Sequence, residues 1–162
     1  MKNTSFAING IDEDITFVNG LLSYISYKSQ NDILNKIMGG VTGFNNLYSD
    51  VNDLAIFAQM MLQRGYYSGR QYISVETIRE FTSSQLPDSY AGLGWQTTIS
   101  ETNIFDKLPN DCYGFNSASG SSLWIDPDNK IFIIFLADSG NEITEKLIPG
   151  IQQEVYEKII SE

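Results

Sequence analysis

Histidine is absent from this chain of 162 residues. That removes the commonest general base near neutral pH and the commonest metal ligand. A single cysteine, Cys112, excludes an internal disulfide and any multi-cysteine metal centre. A zinc site would have to rest on carboxylates and one thiolate, so neither a metal nor another cofactor is expected. No apolar run is long enough to cross a bilayer, and Met1-Lys2-Asn3-Thr4-Ser5 lacks the apolar core of a signal peptide. The expectation is no membrane insertion and, by default, a cytoplasmic location. Cations are also scarce: ten Lys and Arg stand against twenty Asp and Glu, a formal charge of −10. With no basic cluster to displace counterions, the charge argues against a nucleic-acid partner and against binding an anionic membrane surface.

What remains is ordinary for a globular chain, with 42% apolar and 19% charged residues. The length suits one domain over 1–162, mainly helical to residue 90 and then a sheet with a covering helix. A short helix is predicted from Asp32 to Met38, with Ile33, Leu34, Ile37 and Met38 inward, stopping at Gly39-Gly40. The clearest helix follows. Ser49 or Asp50 caps it, and Leu54, Phe57, Ala58, Met61 and Leu62 form one apolar stripe. Arg64 falls in its last turn and Gly65 just beyond. Another helix starts after Ser74 with Val75, Ile78 and Phe81 inward, and ends before Pro87.

The second half turns to strands. Leu93 to Ile99 and Ser121 to Ile125 read as two of them. Asp126-Pro127-Asp128-Asn129 reads as a turn, since proline fixes φ and Asp and Asn bond their own backbone. Ile131 to Leu136 is apolar at every position, which predicts a strand covered on both faces. A last helix is opened by Pro149, with Ile151, Val155 and Ile159 in one inward row. The fold class is α+β: a helical segment, then an antiparallel sheet of about three strands covered by a C-terminal helix.

A serine nucleophile needs a base beside it, and Ser-x-x-Lys supplies one by placing both residues on one helical face. No lysine here has serine or threonine three places before it. Gly-x-Ser-x-Gly and Tyr-x-Asn are absent, and the loose Ser-x-Asn pattern at Ser29 and Ser139 is explained by chance. Asp12-Glu13-Asp14 reads as a solvated face, and Asp126 with Asp128 as turn chemistry. Gly39-Gly40-Val41-Thr42-Gly43 lacks the Lys-Ser/Thr of a phosphate loop.

Several segments in order carry a resemblance. Met1 to Phe6 comes first. Gly40-Val41-Thr42-Gly43-Phe44-Asn45-Asn46-Leu47-Tyr48-Ser49 follows, then Asp53 to Leu62 and Gly65. Tyr72-Ile73-Ser74-Val75-Glu76-Thr77-Ile78, Gly92-Leu93-Gly94-Trp95 and Ser121-Ser122-Leu123-Trp124-Ile125-Asp126-Pro127 complete the series. In this order they resemble the C-terminal half of β-lactamase-related, penicillin-binding-protein-like serine hydrolases, a family that includes esterases. The resemblance implies that the family's third motif, His/Lys-Thr-Gly, falls on Phe115, Asn116 and Ser117. Where it also leads one to expect histidine, the chain has Asn31 and Phe44. The family's nucleophile with its lysine, and its Tyr/Ser-x-Asn, have no counterpart in this sequence.

A residual groove is expected where Phe115, Asn116, Ser117, Ser119 and Gly120 meet Phe44 and Asn45. Packing explains Phe115 and Phe44 as ring fillers of vacated space. Ser117, Ser119, Ser121 and Ser122 could replace the nucleophile only if something beside them took the proton, and no such group stands out. The resemblance further implies that Ile131–Leu136 lacks its neighbouring strand, and a bare apolar edge pairs with another chain. A homodimer is expected, with an N-terminal-half partner or a rearranged N-terminus as alternatives. Three functions follow: a non-catalytic binding or structural module, one half of a split hydrolase, or an unrelated α+β interaction protein.

Overall fold

The structure, a computed structural model, describes residues 1–6, 47–86, 91–97, 111–117, 120–137 and 142–161. It divides into two units, Met1–Asp53 and Leu54–Glu162. The predicted helix at 32–38, the acidic run at 12–14 and the glycine-rich 39–43 lie outside the described residues.

In the first unit, β1 (Ser5–Phe6) pairs antiparallel with β2 (Leu47–Tyr48). Asp53 holds the chain end to this pair. Its buried carboxylate accepts the backbone N–H groups of Lys2 (2.9 Å) and Asn3 (2.7 Å) and the hydroxyl of Thr4 (2.8 Å). The Met1 ammonium lies 3.8 Å away. Burial pushes this carboxyl up, but the donors outweigh it and hold the group below the usual range. Asp50 Oδ1 accepts the Asp53 N–H at 2.8 Å and so caps α1 (Val51–Leu62), one of the two caps expected.

Along α1 the predicted stripe is the buried one. Ala58 and Met61 are core residues, with Phe57 and Leu62 packed on them. The helix end differs from the expectation. Arg64 is not in the last turn; it lies beyond it with φ 53°, and Gly65 follows at φ 86°. Gly65 N–H donates to Met60 O (2.9 Å) and Arg64 N–H to Met61 O (3.0 Å). This is a Schellman end in which arginine occupies the left-handed position that glycine usually fills. Arg64→Gly is expected to raise stability by about 1 kcal/mol, read as a higher midpoint in urea.

A hairpin follows, β3 (Tyr66–Tyr67) and β4 (Arg70–Gln71), turned at Ser68 and Gly69, both at positive φ. In α2 (Val75–Thr82), Ser74 Oγ accepts the Thr77 N–H at 3.1 Å, as its position before the helix predicts. Only Ile78 of the three expected inward residues is buried; Val75 and Phe81 are exposed. Two turns of helix offer one line of contact, and Ile78 takes its centre.

The sheet has four strands in the order β5 (Gln96–Thr97), β6 (Tyr113–Asn116), β7 (Ser122–Asp126) and β8 (Ile131–Phe135), all antiparallel. The strand absent from the sequence reading is β6, whose Gly114 and Asn116 interrupt any apolar alternation. Gly114 is needed for packing. A Cβ there would lie 2.4 Å from both Leu123 O and the Trp124 ring. All five residues of β8 are half-buried, as two covered faces require. Among the described residues, β8 pairs only with β7 and forms an outer strand.

The turn between β7 and β8 matches the reading of its residues. Buried Asp126 accepts the N–H groups of Asp128 and Asn129 (both 3.0 Å), the Asn129 amide (2.7 Å) and the Tyr156 hydroxyl (2.7 Å). Tyr156 belongs to α3, and here the expectation needs correction. The helix runs Glu142–Ile160, so Pro149 is inside it rather than at its start. Its buried row is Gln152 and Tyr156, while Ile151, Val155 and Ile159 are 45–48% exposed. The Tyr156 ring packs with Trp124, Ile131 and Ile133 while its hydroxyl reaches Asp126. That one side chain sets which face of the helix meets the sheet, one position round from the aliphatic row.

Candidate functional site

The positions matching the third motif sit where β6 runs into the β6–β7 turn. The start of β6 is fixed in the core. Trp95 stacks on Phe57 (centroids 6.2 Å apart) and meets Tyr113 edge-on at 5.2 Å. Burial raises the Tyr113 hydroxyl to about 12, with the neighbouring Cys112 adding to the shift. Burial also raises the Cys112 thiol, so this cysteine is an inert core group at neutral pH.

From there the strand carries Phe115 and Asn116 outward. Phe115 is 52% exposed, so it does not act as the buried filler that its aromatic character predicts. Asn116 is committed on both sides of its amide. Its Oδ1 accepts the Trp124 indole N–H at 2.9 Å, and its Nδ2 donates to Gln96 Oε1 at 3.3 Å. Residues from β5, β6 and β7 are joined by this one side chain. Ser117 N–H donates to Ser121 O (2.8 Å), and Gly120 N–H donates to Ser117 O (3.0 Å). Gly120 has φ 85°, the conformation that favours glycine.

The serines divide clearly. Ser121 Oγ donates to Ala137 O at 2.9 Å and accepts the Ala137 N–H at 3.0 Å, so it pins the chain leaving β8. Ser122 is buried, and its hydroxyl has no hydrogen-bond partner among the described residues. Ser119, Phe44 and Asn45 lie outside the described residues, so the structure brings together Phe115, Asn116, Ser117 and Gly120 of the expected set. Among the described residues, no lysine amine is hydrogen-bonded to a serine hydroxyl, and no three metal-ligating side chains gather. The arrangement can tie β5, β6 and β7 together through Asn116 and present the Phe115 ring. The residue that sequence reasoning missed is Trp124, whose indole orients Asn116. Its signal was Gly114, which makes room for the ring across the strand pair.

No protein-family model matches the chain. It is 36% identical over 104 residues to a protein of Escherichia coli O157:H7 named "Putative D-alanyl-D-alanine carboxypeptidase". A protein of the same name from Salmonella enteritidis is 35% identical over 104 residues. Each match covers 62% of this chain and 24% of the relative. The chain thus spans about a quarter of the length of the curated relatives it matches. A solved β-lactamase from Mycobacterium bovis superposes on 70% of this chain and 45% of its own, with TM-score 0.56 and 20% identity.

The fold is accordingly an α+β fold of the β-lactamase type. Taken with the sequence matches, it makes this chain a relative of the β-lactamase and penicillin-binding-protein-like serine hydrolases.

Proposed function

We propose that this chain is a non-catalytic relative of those hydrolases, serving as a binding or structural module. The observation that carries the reading is the use of the third-motif positions. Asn116 spends its amide on Trp124 and Gln96, and Phe115 offers a ring that neither gives nor takes a proton. A serine hydroxyl becomes a nucleophile only beside a base, and the sequence holds no Ser-x-x-Lys pair to supply one. Fluorophosphonate labelling of the purified chain tests this. No labelled band is expected, and stoichiometric modification of any serine overturns the reading. Labelling that appears only with a Ser-x-x-Lys-bearing partner supports the split hydrolase instead.

The module's partner surface is the outer edge of β8. An uncharged run, Ile131-Phe132-Ile133-Ile134-Phe135, presents unpaired backbone groups there among the described residues. A second copy of the chain pairs along this edge in an antiparallel, two-fold arrangement. Light scattering at micromolar concentration is expected to give twice the chain mass of 18.2 kDa. A mass of one chain contradicts this pairing.

A further inference from the structure

Away from the third-motif turn, a cavity of about 870 Å³ opens beside the first residues of β6. Met61, Ile78 and Tyr113 give it an apolar floor, and Arg64, Arg79 and Lys130 reach it from three separate segments. Only ten cations exist in this chain of net charge −10, and three of them line this one cavity. None of the three forms an ion pair among the described residues. Arg79 feels exposed Glu76 on its own helix; Asp111 is the one carboxylate in the described wall, and Asp126 and Asp128 act on the lining Cys112 from behind it.

A second observation points to the same place. Arg64 and Lys130 are two of the three described non-glycine residues with positive φ, at 53° and 57°. Both occupy left-handed turn positions where glycine is the residue of least strain. The strain thus falls on the two turns that bring a cation to the cavity, and strain retained at a site is a mark of function. Thr97, also in the wall, is buried and keeps a hydroxyl with no hydrogen-bond partner among the described residues.

We infer that this cavity binds a small amphiphilic anion, a phosphate monoester on a short apolar body. The cations take the phosphate oxygens through charge-assisted hydrogen bonds, and the apolar body lies on Met61, Ile78 and Tyr113. The inference rests on this cavity and not on the proposed loss of catalysis.

Calorimetric titration of the full chain with octyl phosphate tests it. Octyl phosphate is expected to bind at one site about tenfold more tightly than either octanol or inorganic phosphate. Arg64→Gly, Arg79→Gln and Lys130→Gly each weaken it about fivefold or more. Arg70→Gln, which removes an equal charge from an arginine stacked over Tyr72 outside the cavity, leaves affinity unchanged. Because Arg64→Gly and Lys130→Gly relieve backbone strain, they lose affinity while melting at a higher temperature, which separates lost binding from lost folding. Equal affinity in the three cavity variants, or octyl phosphate no tighter than octanol, overturns the inference. So does binding only to phosphatidylglycerol vesicles, which would make the anion a membrane headgroup.

Discussion

Replacing Asp126 with alanine is expected to cost about 3 kcal/mol of folding stability, measured as a lower urea midpoint at unchanged slope. The carboxylate accepts four hydrogen bonds, two from the β7–β8 turn backbone, one from the Asn129 amide and one from Tyr156 on α3. Its removal leaves the buried phenol and the turn N–H groups without their acceptor, and the desolvation cost of unpaired donors exceeds the gain from any one bond. The same group gives the protein a pH dependence. Burial raises the Asp126 carboxyl, but the bonds from Asn129, Tyr156 and Asp128 outweigh it and hold the folded value below 3.8. The unfolded chain therefore takes up the proton first as acid is added. The contribution is complete above about pH 5 and is lost as pH falls through the folded value. Asp126→Asn should flatten this part of the acid limb, and a variant with an unaltered acid limb would contradict the assignment.

Gly114→Ala is expected to destabilise by about 2 kcal/mol or more, because the new methyl group would collide with a carbonyl oxygen and with the Trp124 ring. If the indole is displaced, its hydrogen bond to Asn116 is lost and the bridge from β7 to β5 opens. The loss should appear in both the thermal midpoint and the tryptophan emission. Gly150→Ala is the control. It lies in α3 with open space around its Cβ position, so alanine there should stabilise by about 1 kcal/mol through helix propensity. One substitution at two glycines thus takes opposite signs, and equal signs would contradict the packing described for β6.

Features set by neighbours in sequence were legible before the structure. The apolar stripe of α1, the Ser74 cap and the Asp126–Asn129 turn all depend on spacings of four residues or fewer. Features set by distant partners were not. The strand β6 carries a glycine and an asparagine whose reasons lie across the sheet, in the pairings Gly114↔Trp124 and Asn116↔Ser122. The buried face of α3 differs from the sequence expectation because Ile151, Val155 and Ile159 carry the strongest apolar signal, whereas Tyr156 answers to a carboxylate 30 residues away. The third-motif positions could be located by segment order alone, but the commitment of Asn116 to Trp124 could not. The cavity at Arg64, Arg79 and Lys130 had no sequence signature, since its cations are scattered and two sit where only the backbone shows strain.

The proposed loss of catalysis requires that no serine of this chain forms an acyl bond. Intact-mass spectrometry after prolonged incubation with benzylpenicillin tests it most directly. A mass unchanged from that of the untreated chain is expected. A shift of one penicilloyl group, mapped to a serine, would contradict it.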